Sequence, residues 1–186
     1  MTKTIEIFAG PNGSGKTTFA KSILSGRKDF LSFNSDVIAS GLKHGNKDAI
    51  QFEAGRFMLE SIEKAFKKNE SFSFETTFSG KLWKSHLTEA KKNGYRITIY
   101  FVFVNDVELS MKRIKQRVKL GGHDVDRKIV KRRFKRTFDN MMKLYSQFAD
   151  EWYLVNNSGK LPEMIAYYQG KAIIIENQKT FNKFFQ

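Results

Sequence analysis

Thr4-Ile-Glu-Ile-Phe-Ala-Gly-Pro-Asn-Gly-Ser-Gly-Lys-Thr-Thr18 decides the fold. It starts as a short apolar strand, passes through a glycine-rich turn and opens a helix. Gly10, Gly15, Lys16 and Thr17 satisfy the phosphate-loop (P-loop) spacing G-x-x-x-x-G-K-T. Glycines let successive backbone N–H groups converge on a phosphate, and the helix N-terminus adds partial positive charge. Lys16 is placed to reach the β- and γ-phosphates and the Thr17 hydroxyl to ligate Mg²⁺, with Asn12, Gly13, Ser14 and Thr18 completing the cradle. A Rossmann dinucleotide loop fits worse, because the glycines are not in G-x-G-x-x-G order. The stretch therefore predicts binding of a nucleoside triphosphate, ATP or GTP.

Outward from this loop, strands and helices alternate. Thr17 to about Ser25 reads as the first helix, ended by Gly26. Phe30 to Phe33 reads as a second strand, followed by Asn34-Ser35-Asp36. Apolar residues at helical spacing run through 46–68. Ser71 to Thr77 alternates with period two, placing Glu75 and Thr77 on one face. A helix over 79–93 leads to Arg96–Val104, whose nearly continuous apolar run suits a central parallel strand. Helices follow at 106–119 and about 126–148, separated by Gly121-Gly122. Trp152–Val155 and Lys171–Ile175 read as late strands around a brief helix opened by Pro162, and the tail from about Asn177 to Gln186 has no assignment.

At 186 residues the chain fits one domain, 1–186, and 40% hydrophobic content with 18 Phe allows a packed core. The absence of cysteine excludes disulfide scaffolds, thiolate metal sites and cysteine nucleophiles. The chain enters its first strand without an apolar leader, and no stretch is long enough to span a bilayer, so the expectation is a cytoplasmic protein that does not engage membranes. The net charge of +14 points to polyanions, and residues 112–136 carry twelve Lys or Arg against Asp124 and Asp126. That density suits a nucleic-acid surface, a lid over phosphates or a solvated helical face.

Three groups of residues carry candidate chemistry. Asp36, at the carboxyl end of a strand beside the loop, is placed to take a proton from a substrate hydroxyl, or else belongs to a helix cap. Glu75 and Thr77 project toward the same crevice and suit a hydroxyl-bearing acceptor, or else stand on a solvent-facing edge strand. Arg113 and Arg117 share a helix face ahead of the Gly121-Gly122-His123 break, and Arg132 and Arg133 lie beyond it, which suits an arginine lid about 113–133. His123 is either a phosphate contact or a loop residue. No strand ends in the four-apolar-then-aspartate pattern of a Walker B motif, so the metal rests on Thr17, phosphates, water and Asp36.

The ordered set Gly10 to Thr18, Asn34-Ser35-Asp36, Ala54-Gly55-Arg56, Phe74 to Gly80, Gly94-Tyr95, Arg117 to His123, Arg132-Arg133-Phe134 and Asn156 to Gly159 resembles the short zeta-toxin-like P-loop kinases, also labelled predicted ABC-type ATPases. The resemblance runs from about residue 4 to 168. It implies ATP- or GTP-dependent phosphorylation of a hydroxyl, with UDP-N-acetylglucosamine the associated acceptor, and an antitoxin protein as a partner. It implies Asp36 as general base, Glu75 and Thr77 as acceptor contacts, and Arg113 as the first lid arginine. The second lid arginine of the family falls near His123, so that role passes to Arg117 or Arg133. Asp126 stands where short members usually have proline, and Asn156, a nucleotide-base contact by resemblance, stands where aspartate is common.

The expected architecture is α/β: a three-layer P-loop NTPase fold with a mostly parallel central sheet and a helical arginine-bearing lid. The expected activity is γ-phosphoryl transfer to a small nucleotide-linked metabolite. The alternatives are a nucleic-acid or nucleotide kinase, suggested by charge, and an ATPase module of the ABC type, which lacks support because there is neither a Walker B nor an intact signature motif.

Overall fold

The computed structural model describes residues 2–27, 30–42, 47–122 and 124–185. Seven strands form one sheet: β1 (Thr4–Ala9), β2 (Leu31–Phe33), β3 (Phe72–Thr76), β4 (Arg96–Phe103), β5 (Glu151–Asn156), β6 (Glu163–Tyr168) and β7 (Ile173–Ile175). Their spatial order is β2-β3-β1-β4-β5-β6-β7. The first five pair in parallel, and β6 and β7 return antiparallel. Parallel neighbours need crossover segments, and these are the helices α1 (Lys16–Ile23), α2 (Ser35–Gly41), α3 (Lys47–Lys67), α4 (Trp83–Lys92), α5 (Val107–Lys119) and α6 (Arg127–Asn140). A last helix, α7 (Gln178–Phe185), follows β7.

Period-two alternation sorts the strand residues onto two unlike faces. Ile5, Ile7, Phe72, Phe74, Ile97, Ile99, Phe101, Phe103, Trp152 and Leu154 build the main core with Met58, Ile62 and Ala65 of α3, Trp83 and Leu87 of α4, and Phe138 of α6. The opposite face carries a row of rings, Phe8 stacked on Tyr100 at 5.2 Å and Tyr100 on Tyr153 at 5.3 Å, over which α1 lays Phe19. Helices thus cover both faces of the sheet, as expected for the three-layer arrangement. β3 is an interior strand with Ser73 fully buried, so Glu75 does not belong to a solvent-facing edge.

Two segments differ from the sequence expectation. Pro162 opens no helix: Glu163–Tyr168 is β6, paired with β5 and β7. Ile165, Tyr167 and Tyr168 favour a pleated surface, and proline is tolerated at a strand's start because no ladder donor is needed there. The unassigned tail is α7, whose Phe181 and Phe185 are buried, with Phe185 5.8 Å from Phe101 and 5.2 Å from Phe103 between ring centroids. The helix at 126–148 continues beyond α6 as a π-helical turn over Met141–Tyr145 and a 3₁₀ turn over Ser146–Phe148. That irregular stretch brings Tyr145 onto the ring of Phe78 at 3.9 Å, fixing the chain just after β3.

Candidate active site

The strand-to-helix loop Gly10–Gly15 sits at the carboxyl ends of β1, β3 and β4, where α/β sheets place their ligands. Gly10 takes φ +140 with its Cα against the Val102 carbonyl of β4, so that a methyl there would occupy the carbonyl's own space. Gly15 caps α1 at φ +91. The Asn157 side chain donates Nδ2–H to the Ser14 carbonyl at 2.8 Å and would collide with any side chain at Gly15. These close approaches hold the loop as a fixed backbone shell, as phosphate binding requires.

Lys16 folds back over this shell, donating to the carbonyls of Gly10 at 3.0 Å and Pro11 at 2.9 Å. Burial of the ammonium lowers its pKa to about 8, against the opposing fields of Glu75 and Asp36. An ammonium has three donors, so two carbonyls leave one for an incoming oxyanion.

Beside the loop, Thr17 Oγ1 donates to Glu75 Oε2 at 2.8 Å, and Asn34 Nδ2 donates to Glu75 Oε1 at 2.6 Å. Asn34 also approaches Thr17 Oγ1 at 3.4 Å. Loss of water pushes the Glu75 carboxyl above its usual range, opposed by Lys16 and by the bonds from Thr17 and Asn34. Asn34 does double duty, since its Oδ1 caps α2 by accepting from the N–H groups of Asp36 and Val37. Asn34 is therefore the cap, and Asp36 in the first turn is left to face the cavity, where Arg117 Nη1 reaches its Oδ2 at 3.2 Å.

The cavity, of about 620 Å³, is lined by Asn12, Lys16, Asn34, Asp36, Gln51, Phe52, Glu75, Thr76, Thr77, Asp126 and Arg133 among others. A smaller recess of about 420 Å³ adjoins it and brings in Thr17, Arg117, Gly121 and Gly122. Thr77 shares a hydrogen bond with Ser79 at 2.8 Å, while Thr76 accepts from Trp83 Nε1 at 2.9 Å. Trp83 packs on Phe74 at 4.2 Å. Burial and the neighbouring Arg132 lower the Arg133 pKa, and Asp36 opposes them.

The predicted residues divide unevenly. Lys16, Thr17, Asp36, Glu75, Thr77, Arg117 and Arg133 converge on one crevice. Arg113 is half-buried on α5, a turn before Arg117, and stands outside the cavity lining. His123 lies outside the described residues. Asn156 is turned into its own loop, accepting from Ser158 N at 3.1 Å and Ser158 Oγ at 2.7 Å, and its neighbour Asn157 makes the P-loop contact. Sequence reading passed over Asn157, Gln51, Phe52 and the second role of Asn34. The polar run Asn156-Asn157-Ser158 after an apolar strand was the signal for the first; an aromatic on the polar face of a predicted helix was the signal for Phe52, which is 79% exposed.

The sequence model of the zeta toxin family matches residues 1–161. This chain belongs to the zeta toxin family. An uncharacterized protein of Haemophilus influenzae (strain Rd) is 34% identical over 129 residues, covering 68% of this chain and 89% of that protein. Among solved structures, the AvrRxo1-ORF1:ORF2 complex crystallised with ATP superposes with a TM-score of 0.80 at 20% identity, covering all of this chain and 64% of the AvrRxo1 chain. This chain thus spans less than two thirds of that neighbour's length. The PezAT toxin–antitoxin system of Streptococcus pneumoniae gives a TM-score of 0.65 at 14% identity, over 99% of this chain and 78% of that one. At such identities the likeness is one of fold. This family member has, among the described residues, no helix long and apolar enough to cross a membrane and no group of three or more His, Cys, Asp or Glu able to hold a metal.

Proposed function

We propose that the chain is a P-loop kinase that moves the γ-phosphoryl group of ATP or GTP onto a hydroxyl of a small nucleotide-linked metabolite, with UDP-N-acetylglucosamine the acceptor that family membership suggests. The observation that carries this reading is the convergence of Lys16 and Thr17 from α1, Asp36 from α2 and Arg117 from α5, three separate segments, at the P-loop end of one cleft. Its volume of about 620 Å³ suits a metabolite-sized ligand.

The chain's own groups supply the steps. Backbone N–H groups of the loop and Lys16 hold the triphosphate, and the spare Lys16 donor meets its terminal oxygens. The Thr17 hydroxyl, with the Glu75 carboxylate beside it, offers the hard oxygen donors that Mg²⁺ prefers. Mg²⁺, when bound there, neutralises charge on the β- and γ-oxygens. Asp36 accepts the proton of the acceptor hydroxyl as its oxygen bonds to phosphorus and the bridging P–O bond breaks, leaving the nucleoside diphosphate. Arg117, already within 3.2 Å of Asp36, sits where charge on the migrating group must be offset.

Membership in the family also supports a cytoplasmic enzyme with an antitoxin protein as partner. A second reading, a nucleic-acid kinase, draws on the exposed basic stripe of Lys128, Lys131, Arg132 and Lys135 along α6. The deciding experiment incubates the protein with labelled ATP and a metabolite extract and identifies the phosphorylated species by mass spectrometry. A labelled small metabolite supports the proposal, labelled RNA with steeply salt-dependent binding supports the second reading, and hydrolysis alone across all extracts rejects both.

A further inference from the structure

We infer that Asn140 and Tyr145, at the far end of the helix that carries Arg133, are positioning residues for the acceptor: they hold Phe78 in a left-handed backbone conformation and so set how Thr77 faces the cavity. The inference rests on the kinase reading above.

Among the described residues only Asn69 and Phe78 take positive φ without being glycine, at +56 and +53. Asparagine tolerates that region, whereas for a bulky side chain it is an outlier that persists only where the surroundings impose it. At Phe78 they come from Asn140, the last residue of α6, and from the π-helical turn after it. Asn140 Nδ2 donates to the Phe78 carbonyl at 2.6 Å, the Tyr145 hydroxyl donates to the Gly80 carbonyl at 2.5 Å, and the Tyr145 ring lies on that of Phe78. Both rings belong to the main core, so neither shifts without opening it.

The strained residue directly follows Thr77, which lines the cavity. Thr77 Oγ1 is bonded to Ser79 Oγ across Phe78, and the Phe78 N–H returns to Thr76 Oγ1 at 3.2 Å. A relaxed backbone at Phe78 would part Thr77 from Ser79 and re-aim its hydroxyl. The same helix reaches the other wall of the cavity. Arg133, Thr137 and Asn140 follow helical spacing along one face, with the Thr137 hydroxyl donating to the Arg133 carbonyl at 2.9 Å, and Arg133 lines the cavity. One rigid helix thus sets both Arg133 and Thr77 and keeps the spacing between two walls on which an acceptor depends. π-helical turns recur at functional sites, and this one anchors the end of that span.

The test uses Asn140→Leu, which keeps the shape without the donor, and Tyr145→Phe, which keeps the ring without the hydroxyl. The control is Tyr95→Phe, which removes a like bond, to the Glu70 carbonyl at 3.1 Å, at the opposite end of the sheet from the cleft. Amide hydrogen exchange is read at Phe78 and Ser79, and transfer from labelled ATP is followed on the metabolite that the wild-type protein phosphorylates, purified from an extract. Asn140→Leu is expected to speed exchange at these amides about 10-fold or more and to lower acceptor kcat/KM roughly 10- to 100-fold, with affinity for a non-hydrolysable ATP analogue unchanged. Tyr145→Phe should move both readouts the same way by less, and carries the test alone should Asn140→Leu fail to fold. Tyr95→Phe should lower the melting temperature while leaving both readouts at the wild-type value. Unchanged exchange in the folded α6 variants, or a loss of transfer that Tyr95→Phe reproduces, overturns the inference. A wild-type protein that labels no metabolite overturns the kinase reading, and the acceptor role with it, whatever the exchange shows.

Discussion

The two halves of the cleft are built from different materials. The phosphate-facing half is backbone: a loop gripped by the Val102 carbonyl and by Asn157, with Lys16 lying on its carbonyls. The half that the proposed function gives to the acceptor is side chains brought from α2, α3, β3, α5 and α6, joined across the gap by the Arg117–Asp36 ion pair. A backbone shell can be set by a local sequence pattern, whereas a side-chain wall depends on how distant helices pack. On the proposed reading the first is fixed before the ligand arrives, and the second would carry selectivity and could be altered piece by piece.

Substitutions should separate the halves, and the largest effects come first. Asp36→Ala should lower phosphoryl transfer by about 10²- to 10⁴-fold while the triphosphate still binds. Lys16→Ala should abolish transfer and weaken the nucleotide as well. Equal losses of nucleotide affinity in both variants, read by calorimetry, would erase the distinction. Arg117→Ala should reduce kcat about 10²-fold or more with little change in nucleotide affinity, on the scale of losing one preorganised charge. Arg113→Ala, outside the cavity lining, should do less, and a reversed ranking in steady-state kinetics would show that the lid closes with Arg113 inward.

A pH titration sharpens the comparison from the phosphate side. Lys16 has a pKa of about 8 in the free protein, and a bound triphosphate favours its charged form. Nucleotide affinity should therefore be full below pH 8 and fall as pH rises above it, and Lys16→Ala should remove that break. The same depressed pKa has the opposite sign for the fold: stability gains as pH climbs from about 8 toward 10.5, because the unfolded chain keeps the proton longer. The smallest effect belongs to Asn157→Ala, which removes one hydrogen bond to the loop. It should cost about 1 kcal/mol, seen as a melting-point drop of a few degrees with a matching small loss of nucleotide affinity.

The same division governed what the sequence made legible. Gly10 to Thr17 is a contiguous pattern with a local physical cause, and its strand, turn and helix stand where the spacing places them. The alternation of parallel strands with helices was equally readable, since each element carries its own periodicity. Asp36 and Glu75 were singled out by their position at strand ends. Their partners, Arg117 and Asn34, depend on packing between segments 81 and 41 residues apart, which no local window contains. The failures at Pro162 and the tail share a cause. Ile165 and Phe185 take their conformation from the core they fill, through pairing with β5 and contact with Phe101 and Phe103. Arg113 and Arg117, a helical turn apart and alike in their local spacing, are distinguished only by the folded chain, in which Arg117 lines the recess and meets Asp36.

One bond beside the cleft has an optical consequence. The chain has two tryptophans. Trp152 is enclosed in the sheet near Tyr168, whereas Trp83 donates its indole N–H to Thr76, the residue between Glu75 and Thr77. With Trp152 replaced by phenylalanine, the remaining emission would come from an indole one hydrogen bond away from the acceptor wall. Ligand entry would then be visible as a change of colour or intensity, without label or coupled assay, and could be timed in a stopped-flow instrument as it happens.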